Sequence, residues 1–399
     1  MSGDRQNAWA AKPTNFTELS RAPTKKHDPL AFRTRPRLRP GQGPAPKSIA
    51  GSRGFTNSMP PSLELQPTEH DAILRPIWLR RHADKSIKLF HSSPDAAVSI
   101  FSVHGGFSSL GKRYPKNNFE IVYANDVDSH ATLTYAENFS SPIITDDVWN
   151  ILDDPVLPEE ADVVPGGFPC QDFSHAGKRR GFSSERGQLY KAMIRLVDRL
   201  RPKLFLAENV RGLLTMNDGA AVRAIVSDFA ALGYDVTCRL YNTADFGVPQ
   251  TRKRVVIVGT RSDMLPEFPM PEPPLDERSW VPLRDAIGDL ADLPEGAVPN
   301  HYWSRAKKNA GQGNIIVDPD RPGPTMRAEH HGNIEYHWLG DRRLSAREAA
   351  RIQSFPDEFI FYPSTSAAYK QIGNAVPPVF AWHIARSIQL FLGRHALGL

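Results

Sequence analysis

The chain has 399 residues, of which 40% are hydrophobic and 23% charged, with 28 glycines, 35 prolines and a formal net charge of +5. That length supports a large core in two or three structural units, and the hydrophobic share excludes a wholly disordered protein. Its two cysteines, Cys170 and Cys238, exclude a disulfide scaffold, a Cys-rich zinc module and an iron–sulfur protein, and they fit a reducing compartment.

Residues 1–62 hold eleven Lys/Arg against three Asp/Glu, with nine prolines and the run Arg33, Arg35, Arg37, Arg39. The basic excess of the protein therefore sits in an arm too poor in apolar surface to offset its ordering entropy, and disorder is expected there. Such an arm suits phosphate backbones. The alternatives are a solubilising extension or a true start at Met59. The N-terminus has no apolar signal core and no run of roughly 18 apolar residues follows, so a cytoplasmic protein with no membrane span is expected.

From about Ala96 short apolar runs alternate with helix-length amphipathic stretches. Ala97–Val103, Glu120–Ala124, Ile143–Thr145, Ala161–Val164, Leu204–Ala207, Asp235–Leu240 and Val255–Gly259 read as strands. Ser129–Asn138, Gln188–Arg201 and Ala220–Leu232 read as helices. This order predicts an α/β fold with a doubly wound, mostly parallel sheet and a ligand at the strand carboxyl ends. Around Arg261–Arg321 the pattern gives way to Pro-, Asp- and Asn-rich sequence, the mark of a small inserted or second domain. Helices return at Ser345–Ser354 and Pro378–Leu392.

Four local features carry chemistry. FSVHGGF (Phe101–Phe107) ends the first predicted strand, where glycines let backbone approach a ligand, and Asp126 ends the next, where an acid can hold ribose hydroxyls. His-Gly-Gly-Phe also fits the oxyanion loop of an α/β-hydrolase, but the Gly-x-Ser-x-Gly elbow that fold requires is absent. GGFPCQDFS (Gly166–Ser174) displays Cys170 on a Gly/Pro-shaped loop after a strand, with His175, Lys178, Arg179 and Arg180 close behind to favour a thiolate. Cys238, inside DVTCRL, reads as a small buried hydrophobe. FLAENV (Phe205–Val210) ends a strand on Glu208, whose partial burial would favour a neutral, proton-donating form. In QTRKR (Gln250–Arg254) alternation puts Gln250, Arg252 and Arg254 on one side, able to hold a phosphate or a base carbonyl, against the plain alternative of a solvated charge run.

In order and residues these features resemble the DNA (cytosine-5) methyltransferase family, from about Ala97 to about Ile388. GGFPCQDFS resembles its Pro-Cys nucleophile motif, ENV its Glu-Asn-Val motif, and QTRKR its Gln-x-Arg-x-Arg motif. RRLSAREAARIQSFPDEF (Arg342–Phe359) and AYKQIGNAVPP (Ala368–Pro378) resemble its two C-terminal motifs. Ser99 and Val103 stand where the family usually has Asp and Gly.

The resemblance implies a Rossmann-like methyltransferase sheet with a short target-recognition domain. It implies S-adenosyl-L-methionine over Phe101, Gly105 and Gly106, with Asp126 on its ribose, Asp147 at the adenine amino group, and Leu189 and Asn374 as further contacts. Cys170 would attack C6 of a flipped-out cytosine, Glu208 would hold N3 and Arg254 the O2 side, with Arg252 counted in the same catalytic set. Gln312 would fill the hole left by the base, and Gln250, Arg179 and Arg180 would touch DNA. No metal is expected: His330, His331 and His337 lack a supporting cysteine or acid constellation.

The implied organisation is a basic arm (1–62), an extension (63–95), a catalytic domain (96–265), a target-recognition region (266–340) and C-terminal helices returning to the catalytic domain (341–399). The expected partners are double-stranded DNA and, in a bacterial restriction–modification setting, a separately acting cognate endonuclease, with the chain itself a monomer. The competing readings are a catalytically weak nucleic-acid-binding relative and an RNA-directed cytosine-5 methyltransferase.

Overall fold

In the central strands successive residues go to opposite faces of the sheet, and both faces are apolar. Val164, Phe205, Ala207, Val255 and Ile257 belong to one buried cluster, and Val163, Leu204, Leu206, Val256 and Val258 to another on the alternate positions. A sheet with two apolar faces needs a helical layer on each side, and that requirement sets the architecture.

The structure is a computed structural model that describes residues 87–93, 118–168, 189–264, 268–307, 313–328 and 333–397. The basic arm, the predicted strand Ala97–Val103 and the Gly-rich motif after it lie outside the described residues. Seven strands form one sheet: β1 (Ile87–Ser93), β2 (Phe119–Asp126), β3 (Ile144–Thr145), β4 (Val163–Gly167), β5 (Leu204–Val210), β6 (Tyr234–Asn242) and β7 (Lys253–Arg261). Their order is β3-β2-β1-β4-β5-β7-β6. β1 to β5 run parallel, whereas β7 is antiparallel to both its neighbours. The order reverses between β1 and β4, so the ligand crevice of this doubly wound sheet falls at the carboxyl ends of those strands.

β1 corrects the sequence reading. It lies within 63–95, set apart as an extension, yet it fills the centre of the sheet between β2 and β4. Its short, partly polar IKLFHSS is a weak strand signal alone, and pairing on both edges outweighs that.

One face is covered by α3 (Leu189–Leu200) and α4 (Ala220–Ala231). In α3 the buried positions Leu189, Tyr190, Ala192, Met193, Leu196, Val197 and Leu200 trace one helical stripe. The opposite face is covered by α8 (Pro378–Leu397), whose Val379, Phe380, Ile384, Ile388 and Phe391 join the second cluster. Between these, α1 (Ser129–Asn138) starts on the Asp128 cap and α2 (Val148–Ile151) on the Asp147 cap.

The expected recognition region, 266–340, has no separate apolar cluster among the described residues. Leu283, Ala286 and Ile287 of α5 (Leu283–Ile287), with Val317, Met326 and Ile334, share a cluster with α1, α6 (Ala346–Ile352) and α7 (Thr365–Asn374). Packing therefore does not divide the chain at 340. α6 is fixed by a capping box in which Ser345 and Glu348 exchange bonds. Among the described residues no helix is long and apolar enough to cross a membrane.

Glu348 also organises a buried polar knot. It accepts two 2.8 Å bonds from Arg342 and faces His337 Nε2 at 3.7 Å. His337 has no side-chain exposure, and its Nδ1 accepts from Leu339 N. Burial pushes its pKa down, with Arg342 adding to this and Glu348, Asp341 and Asp292 opposing it. A histidine held neutral in the folded chain, but protonated when unfolded below about pH 6.5, destabilises the fold as pH falls. Stability is therefore full above that value and declines through the window below it. His301, also lowered by burial, acts in the same direction. Denaturant midpoints at pH 7 and pH 5 should show a drop that is smaller in His337→Gln than in the wild type. Equal drops would remove His337 from the account.

Candidate active site

Two of the polar residues that the sequence singled out meet where β5 and β7 pair. Glu208 is the fifth residue of β5, paired with Gly167 of β4 on one side and Val256 of β7 on the other. Because β7 runs antiparallel, its first residues reach the carboxyl end of β5: Arg254 lies opposite Val210. Arg254 Nε donates to Glu208 Oε1 at 2.6 Å, with side-chain exposures of 10% and 19%. A carboxylate and a guanidinium so placed form a two-sided polar grip, able to hold an acceptor and a donor of one flat ring. The sequence expects Glu208 alone in an apolar run; the structure gives it a cationic partner instead. Burial lowers the pKa of Arg254, and Glu208 opposes that shift.

Asn209 ties this pair to the nucleophile motif. Its side-chain amide donates to Phe168 O at 2.9 Å in a buried setting, fixing the chain just beyond β4. Cys170 follows two positions later and lies outside the described residues, as do Phe101, Gly105, Gly106, Arg179, Arg180 and Gln312. Cys238, the other cysteine, packs against the α3/α4 cluster, where burial pushes its thiol up to about 12. It is unsuited to act as a nucleophile.

Alternation along QTRKR holds: Gln250, Arg252 and Arg254 are buried, Thr251 is half-buried and Lys253 exposed. A solvated charge run is thereby excluded. Two of the three residues, however, do a different job from the one expected. Arg252 is 1% exposed, and its two terminal nitrogens donate to Met326 O at 2.7 Å and Gly373 O at 2.8 Å. Burial, reinforced by Arg254, drives its pKa well down. Gln250 accepts from Met326 N at 2.8 Å and donates to the Gln353 side chain. With no exposed surface and both ends of its amide engaged, it is not placed to touch DNA. Gln353 in turn donates to Ile372 O and Ala375 O. Gln250, Arg252 and Gln353 thus form a buried clamp around the turn holding Asn374. Gly373 lets that turn close: a Cβ there would lie 2.0 Å from the Arg327 carbonyl carbon.

Of the expected cofactor residues that are described, Asp126 and Asp147 lie at neighbouring strand ends, the one closing β2 and the other just after β3. Asp126 ends β2, is fully buried and accepts from Asp128 N at 2.7 Å. Asn125, which the sequence reading passed over, donates to Ile144 O and Asp146 O and sets the next strand end beside it. Asp147 caps α2 through Trp149 N at 2.9 Å. Leu189 is buried at the start of α3, and Asn374 is the half-buried last residue of α7. A buried acid at the second strand end and an apolar start to α3 fit a nucleoside with a hydroxyl-bearing sugar.

A mostly parallel sheet with an antiparallel strand between β5 and β6, and an acid and a guanidinium paired at its carboxyl edge, is the frame of an α/β methyltransferase. Solved structures agree on the fold. A prophage-encoded DNA modification methyltransferase of E. coli superposes with a TM-score of 0.57 at 23% identity, covering 77% of this chain and 99% of that one. The S. pombe Dnmt2 methyltransferase gives 0.53 at 15% identity, covering 78% and 100%. The chain belongs to the C-5 cytosine-specific DNA methylase family, which it matches over residues 96–321 and 305–390. It is 36% identical over 336 residues to the Type II methyltransferase M.NgoFVII of Neisseria gonorrhoeae, covering 76% of this chain and 89% of the relative. It is 37% identical over 307 residues to M.BspRI of Lysinibacillus sphaericus, covering 68% and 70%. The activity is DNA cytosine-5 methylation.

Proposed function

We propose that the chain methylates C5 of a cytosine turned out of double-stranded DNA, with S-adenosylmethionine as donor and Cys170 as covalent nucleophile. The observation that carries this reading is the Glu208–Arg254 pair beside the backbone that leads to Cys170. The cytosine ring is too poor a nucleophile at C5 to take a methyl group unaided. Addition of the Cys170 thiolate to C6 makes C5 enamine-like; a proton shared between Glu208 and N3, and the Arg254 guanidinium donating to O2, stabilise the charge that develops. Once C5 has taken the methyl group, loss of the C5 proton to water and expulsion of the thiolate restore the aromatic ring. The base must leave the stack to reach these groups.

S-adenosylmethionine supplies an electrophilic methyl group; Asp126 would hold its ribose, Asp147 and Leu189 its adenine end, and Asn374 a further contact. Arg252 acts through the clamp that fixes Asn374. The similarity to Type II methyltransferases supports a restriction–modification setting, with a cognate endonuclease acting separately on DNA in the cytoplasm and this chain working as a monomer.

Incubation with labelled cofactor and either duplex DNA or folded RNA tests the reading. The expected product is 5-methylcytosine in DNA alone. Label in RNA alone would favour the RNA-directed alternative, and none in either would favour a binding protein without turnover.

A further inference from the structure

Arg343 makes a second buried node, remote in sequence from QTRKR. It is 1% exposed. Its Nε donates to Ala306 O at 2.8 Å, one terminal nitrogen to Gly313 O at 2.7 Å and to Ile334 O, and the other to Lys307 O at 3.1 Å. The guanidinium lies over the Tyr336 ring, 4.5 Å from its centroid. One side chain thereby gathers the backbone of three separate stretches: 306–307, 313 and 334.

Those stretches touch elsewhere too. Tyr336 N donates to Ile315 O and Val317 N to Tyr336 O, so 315–317 and 336 run side by side. Gly313 has φ +79°, and a Cβ on it would lie 2.2 Å from the Asn333 carbonyl carbon. Among what this frame presents outward are two apolar side chains, Ile315 at 64% exposure and Ile316 at 48%, with Lys307 also exposed. Exposed apolar side chains on a rigid frame suit contact with a partner, and in a DNA groove they suit thymine methyl groups.

We propose that Arg343 is a positioning residue for target-sequence recognition, setting the spacing of the segments that read the duplex. The proposal rests on the reading of 266–340 as the DNA-recognition region. Only a planar fork with several fixed donors spans four carbonyls; lysine keeps the charge but concentrates its donors on one nitrogen. Loosening the frame should blur discrimination between cognate and one-base-changed sites. Turnover should persist, because Glu208 and Arg254 stand on β5 and β7, away from this frame.

The test uses plasmids expressing wild type, Arg343→Lys or Gly313→Ala in a host lacking cytosine methylation, read by bisulfite sequencing. Wild type should mark one short sequence. In Arg343→Lys the ratio of near-cognate to cognate methylation should rise by about tenfold, the size of one weakened base-pair discrimination. With purified protein, KM for DNA should rise by a similar factor while kcat on saturating DNA stays within about threefold. An unchanged sequence profile with kcat reduced would overturn the proposal and leave Arg343 a stabilising residue. Should Arg343→Lys fail to fold, Gly313→Ala forces the same segments apart by another route, and an unchanged profile in that soluble variant overturns it equally. A wild-type chain that marks no plasmid cytosine is a different failure, of the DNA-methylating reading itself.

Discussion

Replacing Cys170 with serine is expected to lower methyl transfer by about a thousandfold or more, since the step that activates C5 loses its nucleophile. The same variant should form no denaturation-resistant adduct with DNA carrying 5-fluorocytosine at the target. Fluorine cannot leave C5 as a proton, so wild-type enzyme stalls after methyl transfer, still bonded to C6. Cys238→Ser supplies the control, because that thiol packs against the α3/α4 cluster with its pKa pushed up to about 12. It should trap as wild type does. An adduct that survives the loss of Cys170, resolved on a denaturing gel, would end the covalent mechanism.

The second large effect is on stability. Arg252→Ala strips two buried carbonyls, Met326 O and Gly373 O, of their donor. Each stranded carbonyl costs about 1–3 kcal/mol, and an emptied arginine site adds a cavity, so a loss of about 3–5 kcal/mol is expected. A denaturant titration with the slope held equal reads it directly. Arg254→Ala makes the contrast. Its Nε bonds Glu208, so besides the midpoint cost of leaving that carboxylate unpaired it should lose turnover even in the folded fraction. Equal midpoints for Arg252→Ala and wild type would return Arg252 to the catalytic set.

That contrast shows where the sequence ran out. Period-two alternation placed Gln250, Arg252 and Arg254 together, as the structure has them, but alternation names a side without saying whether it faces solvent or protein. Arg252's acceptors lie 74 and 121 residues further along the chain, beyond any local pattern, and buried arginines are uncommon enough that none would be assumed. Ser129–Asn138 was legible to the residue because Asp128 caps it and its end meets Phe139 in extended backbone. Asp126 was legible because an acid ending an apolar run marks a strand end, whereas Glu208 falls two residues inside β5, which runs on to Val210. α7 was missed as a helix: Thr365–Asn374 buries mainly alanine, glycine and polar residues, which leave almost no apolar stripe. β1 was missed because a short strand with a polar tail depends on its neighbours for stability. Asn209 stood inside a quoted motif, and only its bond to Phe168 O reveals what it does.

The order in which the protein is synthesised gives α8 a further consequence. Val163, Leu204 and Val256 of the sheet are covered on one face by residues 379–392, and Asn118 N, beside the start of β2, is bonded by Gln389. Those residues are synthesised after every strand they cover, so the sheet emerges with one apolar face open until this helix docks. A chain cut short before residue 379 cannot close that core and should be cleared as misfolded protein. Methylation therefore waits on the synthesis and docking of this helix.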